Sequence, residues 1–380
     1  MRCLALALAA AACGPPPAPG NSRAIRFLHT FNPRETELFN TTIADRRLVV
    51  DASLVPFARG HQVITELLRG GKDCPDLIRI DATWLPGLVA AHLLQPPPEH
   101  LATAGWSPIA SELAIADGAA WAVPQSIDGL VVVRVAGTPP PGPPGVNSAT
   151  VRELTAAAAR AQASGLAHPL GVRADGYWMV PWLRAESVEL EPTEPTEIER
   201  DGAVRALREF SSLFGSLAPA PPSAGSEAPD ELRRWNAHEL AYWVTGPWQL
   251  ADLRERDQIE VSALAHAPRG GQLLVVPTCA PQPQEGWRLA QELTSEPVSL
   301  IFSDAVATIP TFEAAQRHAT TLVQHTLEAL AHAERLPHTV VTPLLFDDLN
   351  PAVAAVIAGD ATPEEAIAGV RRGWHRLERK

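Results

Sequence analysis

The stretch CPDLIRIDATWLPGLVAAHLLQPP, residues 74–97, combines two patterns that together favour a layered α/β fold. Asp76–Asp81 is a short run of largely apolar character, which is typical of a strand covered on both faces. Thr83–Leu94 follows at once, with apolar residues at helical spacing. A buried strand that leads directly into a helix is the repeating unit of parallel α/β sheets.

The same unit occurs twice more upstream of this stretch. Strand-like Ala24–His29 precedes a helical segment at Glu35–Ala44, and strand-like Arg47–Leu54 precedes a helical segment at His61–Gly70. The order β-α-β-α-β-α predicts a mostly parallel sheet with helices on both sides.

Strand and helix patterns continue from residue 97 to the end of the chain. Gly129–Val135 (GLVVVRV) is extended, whereas the proline-rich Gly137–Gly145 cannot hold a helix and marks a loop. Further strands are predicted at Leu170–Val172 and Leu240–Val244, and further helices at Val151–Ser164, Gly202–Phe214, Pro229–Glu239 and Pro363–Leu377. Because 380 residues exceed what one hydrophobic core usually holds, we expect two or more domains.

The composition limits the classes of partner. The net charge is −12 and no basic run is present, which argues against nucleic acid because phosphate binding needs clustered Lys and Arg. Ten Trp stand against two Tyr, and most of these Trp are expected to serve packing.

The N-terminus has the pattern of an export signal. Residues 1–13, MRCLALALAAAAC, place one Arg before a short apolar run that ends at Cys13. Residues 14–23 are rich in Pro and Gly and form a flexible tether. Lipidation of Cys13 is one interpretation, although Ala10 stands where lipoprotein signals usually have Leu; a plain signal peptide with an incidental Cys is the other.

Cys74 and Cys279 each lie at one end of a strand-like run. If the two strands pair antiparallel, the start of one lies beside the end of the other, and a disulfide becomes geometrically reasonable. Two free buried thiols are the alternative. A metal site is not indicated, since neither Cys has a partner at ligand spacing.

Five segments together resemble the extracellular solute-binding proteins of carbohydrate ABC importers, the maltose-binding type of the class II periplasmic-binding-protein-like group. No single segment is specific, but their order along nearly the whole mature chain is. They are residues 74–97, DGAAWAVPQSIDGLVVV at 117–133, VTGPWQL at 244–250, the segment 272–311 that contains EGWRLAQELTSEP, and LNPAVAAVIAGDATPEEAIAGVRRGWHRL at 349–377.

The resemblance implies a two-lobed α/β fold, in which each lobe is a mostly parallel sheet flanked by helices and the hinge consists of several crossovers. Lobe 1 is then expected to comprise residues 24–124 and 269–309, and lobe 2 residues 125–268 and 310–380. It also implies a monomer that captures a sugar or similar polar small molecule between the lobes. The partners implied are the membrane permease subunits of an ABC importer, and the location is the periplasm or the outer face of the cell membrane.

The resemblance further implies which residues line the cleft, where carboxylates and amides meet hydroxyl groups beside an aromatic platform. These residues follow predicted strands or lie in the Gly-Pro-Trp turn: Asn32, Asp81, Thr83, Trp84, Gln125, Asp128, Tyr177, Trp178, Gly246 and Trp248. Five alternatives remain at this point. Asp81 is also a suitable helix N-cap, Asp128 is also suited to cap the end of a strand, and Trp84 is also a packing residue. Trp248 is also suited to the core of the second lobe, and of Tyr177 and Trp178 only one faces the cleft if they continue a strand.

Catalytic patterns are weak. HELAYW at 238–243 begins like a zinc-protease helix but lacks the second His. Neither a nucleophile elbow nor a phosphate loop is present, and no cofactor is indicated. Two alternatives to transport remain. One is a ligand-sensing receptor. The other is a secreted carbohydrate-active enzyme, because a pair of catalytic carboxylates cannot be located from sequence.

Overall fold

A computed structural model describes residues 23–46, 48–102, 105–190, 198, 201–221 and 230–377. The export signal, Cys13 and the tether up to residue 22 lie outside the described residues. The strands are β1 Ile25–His29, β2 Val50–Leu54, β3 Leu77–Asp81, β4 Leu94–Gln95, β5 Ile115–Ala116, β6 Ala119–Ala120, β7 Val123–Gly129, β8 Val131–Val135, β9 Ser148–Ala149, β10 Leu170–Gly171, β11 Tyr242–Thr245, β12 Ile259–Leu264, β13 Pro268–Pro277 and β14 Glu334–Arg335.

Helices flank these strands throughout the chain. They are α1 Pro33–Asp45, α2 Phe57–Gly70, α3 Leu85–Ala90, α4 Glu99–Ala102, α5 Pro108–Leu113, α6 Val151–Ala163, α7 Gly176–Ala185, α8 Asp201–Ser212, α9 Glu231–Asn236, α10 Pro247–Leu250, α11 Pro283–Thr294, α12 Glu296–Val306, α13 Glu313–His318, α14 Thr321–Ala331, α15 Thr342–Ala358 and α16 Pro363–Leu377. Within the described ranges, none of the helices is long and apolar enough to cross a membrane.

The first lobe is organised by a seven-stranded sheet. Strands β1, β2 and β3 are parallel, as the repeated strand-helix order predicts. Strand β13 lies antiparallel between β3 and β7, so residues from three distant parts of the chain meet in adjacent positions. In this register Gln272 stands opposite Asp81, and Gly270 stands opposite Asp128.

The second lobe is organised by a five-stranded sheet in the order β10-β11-β8-β12-β9. Strand β8 is central and antiparallel to both of its neighbours. Helix α14 packs on β12, and α7, α8, α15 and α16 pack on one another. The mixed two-lobed α/β fold predicted from the sequence is confirmed.

The backbone passes between the two sheets at Gly129–Leu130. The sequence interpretation ended the first segment of lobe 1 at residue 124. In the structure β7 continues in the larger sheet to Gly129, five residues further along the chain. Gly129 has φ 153°, and a Cβ there would lie 2.7 Å from the carbonyl oxygen of Pro268. Only glycine avoids this clash, which explains the residue at this crossing.

The segment predicted as one long helix at Thr83–Leu94 is shorter in the structure. A 3-10 turn covers Ala82–Trp84, α3 ends at Ala90, and Leu94 begins a strand. His92, with φ 55°, ends the helical path. The apolar spacing that indicated a helix over the whole segment therefore also serves β4, which pairs with β13.

A disulfide joins Cys74 and Cys279 within the first lobe. Strands β3 and β13 pair antiparallel, which is the condition under which the sequence allowed this bond. The bond links residues that are 205 positions apart and fixes the start of β3 to the loop that follows β13.

Candidate functional site

Two carboxylates lie together on the first lobe where β3 and β7 end. Asp81 is the last residue of β3, and Asp128 is the next-to-last residue of β7. Gln272 of β13 lies between them and donates from Nε2 to Oδ2 of Asp81 at 3.3 Å and to Oδ2 of Asp128 at 3.2 Å. A single amide therefore holds both acids in one cluster, which we call the acid pair (Asp81 and Asp128).

A buried arginine lies beside the acid pair. Arg79 is 4% exposed, and its guanidinium donates to Gln125 at 2.9 Å and to the Thr30 hydroxyl at 3.1 Å. It also forms an ion pair with Glu35 at 3.3 Å and lies 4.6 Å from the centre of the Phe31 ring. Its nitrogen atoms are thus committed to residues of the first lobe.

Burial changes the protonation of the acid pair. Burial and, after it, the neighbouring charge of Asp81 raise the pKa of Asp128 to about 7, while the bond from Gln272 and the charge of Arg79 oppose the shift. Burial also raises the pKa of Asp81, against hydrogen bonds from Thr83 and Gln272. Two neighbouring carboxylates do not both ionise readily, so Asp128 keeps its proton up to about pH 7.

We expect the Asp128→Asn variant to be more stable than the wild type at high pH. Between about pH 4 and pH 7 the unfolded carboxyl is ionised while the native carboxyl keeps its proton, so the free energy of unfolding that Asp128 contributes falls as the pH rises. Asn does not titrate and still accepts from Gln272. The difference in Tm between variant and wild type should therefore widen by several degrees from about pH 5 to about pH 8.

Differential scanning fluorimetry at several pH values measures this difference in Tm. The matched control is Asp51→Asn, since Asp51 is an exposed Asp on β2. A difference for Asp128→Asn that stays constant with pH would show that the native carboxyl is ionised throughout.

Aromatic side chains of the second lobe form the opposite wall. Tyr177 and Trp178 begin α7, whose N-cap Asp175 accepts from the backbone of Tyr177. The rings of Tyr177 and Trp178 are 5.6 Å apart edge to face, and Trp178 and Trp248 are 6.1 Å apart in the same arrangement. We call these three residues the aromatic wall.

The phenol of the aromatic wall lies near the acid pair. Burial raises the pKa of Tyr177, and the negative charges of Asp128 and Asp81 also raise it, so the phenol lies within their field. The Tyr177 hydroxyl also lies 3.5 Å from the carbonyl oxygen of Pro268, at the crossing between the lobes. The phenol and the two carboxylates thus lie near one another where the lobes meet, and the two indoles follow the phenol in edge-to-face contact.

The Gly-Pro-Trp turn holds Trp248 in place. Gly246 is buried, and a Cβ there would lie 2.3 Å from the Trp248 ring. The absence of a side chain lets the indole lie flat over the backbone, while Trp178 is fixed by a bond from its Nε1 to the Val244 carbonyl at 3.0 Å. Both rings are only partly buried, so a face of each remains available.

Comparison with known proteins identifies the family. Residues 63–328 match the sequence pattern of the family described as bacterial extracellular solute-binding protein. The chain belongs to this family. Membership makes it an exported solute-binding protein, and it confirms the resemblance on which the sequence interpretation depended. Among curated proteins, no sequence relative is found.

Solved structures share the fold of this solute-binding protein. The GacH receptor of Streptomyces glaucescens, solved unliganded and with acarbose, has a TM-score of 0.79 at 21% identity, with 94% of this chain and 98% of that chain covered. The maltotriose-binding protein of Thermus thermophilus, solved with maltotriose, has a TM-score of 0.77 at 17% identity, with 93% of this chain and 99% of that chain covered. Maltose-bound MalE3 of T. maritima has a TM-score of 0.77 at 17% identity, with 93% of this chain and 100% of that chain covered.

In this solute-binding protein the structure brings several of the predicted residues together on the first lobe, where some of them hold others in place. Thr83 donates through its backbone N–H and its hydroxyl to Asp81, so Asp81 caps the 3-10 turn as well as belonging to the acid pair. Gln125 is buried and holds Arg79. Asn32 is the N-cap of α1 in a capping box with Glu35.

Trp84 is placed differently from the cleft position that the resemblance implied. It is 5% exposed in the core of the first lobe, where its ring lies 5.4 Å from Phe57 and fills the space above Gly60. The alternative of a packing residue therefore describes it. Tyr177 and Trp178 lie in the first turn of α7 and do not continue a strand, so their side chains need not point to opposite faces.

Sequence reasoning missed four residues of the site. Arg79 and Gln272 lie inside strands that were interpreted as apolar runs, and Glu35 lies on α1, outside the five segments that resemble the family. Phe346 comes from α15 and lies 6.2 Å from Tyr177. A polar residue within an otherwise buried strand was the available signal for Arg79 and Gln272, since such residues need buried partners.

Proposed function

We propose that this solute-binding protein captures a saccharide between its two lobes and delivers it to a sugar ABC importer. One observation carries the proposal: three aromatic rings of the second lobe contact one another, and one of them, Tyr177, lies within the field of a pair of carboxylates on the first lobe. Sugar rings present C–H faces that stack on indoles and hydroxyl groups that donate to carboxylates. The arrangement offers both kinds of contact.

The fold neighbours support the sugar class. Their structures were solved with acarbose, maltotriose and maltose bound. The present chain differs from them in about four of every five positions, so the support concerns the class of ligand and not the individual sugar.

Closure of the lobes is part of the proposal, since a ligand that contacts both walls stabilises the closed form. Arg34 at the start of α1 donates to Asp252 at 2.7 Å and to the carbonyl of Ala251 at 2.6 Å, beyond α10. This contact joins the first lobe to the second across the cleft. It is exposed, and such ion pairs contribute up to about 1 kcal/mol.

We expect Arg34→Ala to weaken ligand binding by up to about fivefold, because loss of the contact favours the open form. Isothermal titration calorimetry with the best ligand of the panel below measures the change. Arg46→Ala is the matched control, since Arg46 lies beyond the other end of α1 and pairs with Glu292 within the first lobe. Equal effects of both variants would contradict a role of Arg34 in closure.

A thermal-shift screen tests the proposed function. The panel contains monosaccharides, polyols, maltose, maltotriose and longer oligosaccharides, with amino acids and short peptides as other classes. A ligand that binds only the native state raises the Tm, and the rise grows with the logarithm of the ligand concentration once that concentration exceeds the Kd. Stabilisation by a saccharide supports the proposal, whereas stabilisation by an amino acid or peptide and by no saccharide would overturn it.

The division into lobes and the cellular setting complete the proposal. We assign residues 24–129 and 268–318 to the first lobe and residues 130–267 and 321–377 to the second, following the helix packing and the strand pairing, except that the two residues of β14 pair with the start of β13 in the larger sheet. The protein acts as a monomer on the outer face of the cell membrane, anchored through Cys13, and docks on permease subunits. Labelling with radioactive palmitate, with Cys13→Ser as the control, tests the anchor.

A further inference from the structure

The acid pair and its bridging amide present acceptors to the cleft without donors to match. Gln272 is 6% exposed, and its Nε2 is already shared by Asp81 and Asp128. Its Oε1 is buried and has no hydrogen-bond partner among the described residues. A buried amide oxygen without a donor costs about 1–3 kcal/mol, so the cluster is incomplete as it stands. The Oε1 atom of Gln272 therefore lacks an N–H or O–H donor within the described part of the chain.

Among the described residues, the acid pair also has no cation that is bound to it directly. Arg79 is the cation whose field reaches both carboxylates, but its guanidinium is occupied by Glu35, Gln125 and Thr30. The charge of Glu35 balances that of Arg79. Two other charged groups lie near the phenol of Tyr177. Arg184 donates to carbonyl oxygens, and Asp175 is itself an acid, so neither supplies a cation to the acid pair. Because it has no cation of its own, the acid pair keeps a proton on Asp128 up to about pH 7, and a cationic ligand would take the place of that proton.

The opposite wall suits the same kind of ligand. Indole faces attract cations, and the guanidinium of Arg173 already lies 5.4 Å from the centre of the Trp178 ring. Trp248 and Tyr177 each contact Trp178 edge to face, and the phenol of Tyr177 lies within the field of the acid pair. A cation between the two walls would have carboxylates on one side and aromatic faces on the other.

We propose that the ligand is an amino sugar, whose protonated amine lies between the carboxylates of Asp81 and Asp128 and donates one N–H to Oε1 of Gln272. This inference rests on the proposed function and narrows it to a cationic saccharide. The amine supplies the missing donor and the missing charge in one group, through charge-assisted hydrogen bonds that are about twice as strong as neutral ones.

Matched pairs of sugars test the inference by calorimetry at about pH 6.5, where amines of this kind are protonated. The pairs are glucosamine with glucose, galactosamine with galactose, and the glucosamine disaccharide with its N-acetylated form. We expect the amine of at least one pair to bind about tenfold more tightly than its neutral partner. Asp128→Asn should reduce this preference to less than threefold, and Asp81→Asn, as a second variant, should do the same.

The outcomes separate the two proposals. Neutral members that bind as tightly as the amines, or a preference that persists in both variants, would overturn the amino-sugar inference and leave saccharide binding intact. Absence of binding by every sugar of this set and of the wider panel would overturn the proposed function itself.

Discussion

Replacing Arg79 with alanine is expected to lower the free energy of unfolding by about 3–5 kcal/mol, because the change leaves a carboxylate buried without its cation. Glu35 loses its ion pair, and the oxygen atoms of Gln125 and Thr30 lose their donor. The side chain of Arg79 is almost fully enclosed, so water does not readily replace these bonds. Urea denaturation of the purified protein measures the difference.

Two further variants identify the cause of that loss. Arg79→Lys keeps the charge but presents a single ammonium in place of the planar fork, so its loss should be intermediate. Glu35→Gln alone should cost less than Arg79→Ala, and the double variant should recover part of the loss because no charge is then left unpaired. A decrease below about 1 kcal/mol for Arg79→Ala would show that the pair contributes little in the folded protein.

The strand-helix order of the first lobe could be predicted because local patterns determine it. The apolar runs of β1 and β3 and the helical spacing of α2 depend only on residues near in sequence. The chain direction of successive strands then follows from the helices between them, since a parallel pair needs a crossover. The same reasoning predicted that Cys74 and Cys279 could meet.

The acid pair could be predicted only in part. Asp81 and Asp128 were identified through a family resemblance, as residues that follow or enter strands. Their contact depends on the register of β13, which places Gln272 opposite Asp81 from 191 positions away. No local pattern determines that register, and therefore neither the bridge by Gln272 nor the raised pKa of Asp128 could be predicted from sequence.

The aromatic wall shows a second kind of limit. Tyr177 and Trp178 were interpreted as continuing a strand, in which neighbouring side chains point to opposite faces. In the structure Asp175 caps a helix at this point, and neighbouring side chains on a helix are about 100° apart, so both rings border the cleft. Asp175 is a residue type that is favoured at helix N-caps, but the short apolar strand before it favoured an extended chain at the same place.

Replacing Trp248 with alanine is expected to weaken saccharide binding about 30-fold, a loss of about 2 kcal/mol, as for other aromatic anchors at the centre of a binding site. The ring is held by Trp178 on its edge and by the bare backbone of Gly246 beneath it. It is therefore fixed before the ligand arrives, and little conformational entropy is lost on binding. Isothermal titration calorimetry with the most stabilising sugar of the panel measures the change.

Two controls show whether the loss comes from the aromatic face. Trp248→Phe keeps a smaller ring in the same place and should retain most of the affinity. Trp121→Ala removes a partly buried indole of the first lobe that packs on the core away from the aromatic wall, so it should change stability and leave affinity unaltered. Unchanged affinity in Trp248→Ala would remove Trp248 from the site, and with it the stacking surface opposite the acid pair on which saccharide binding depends.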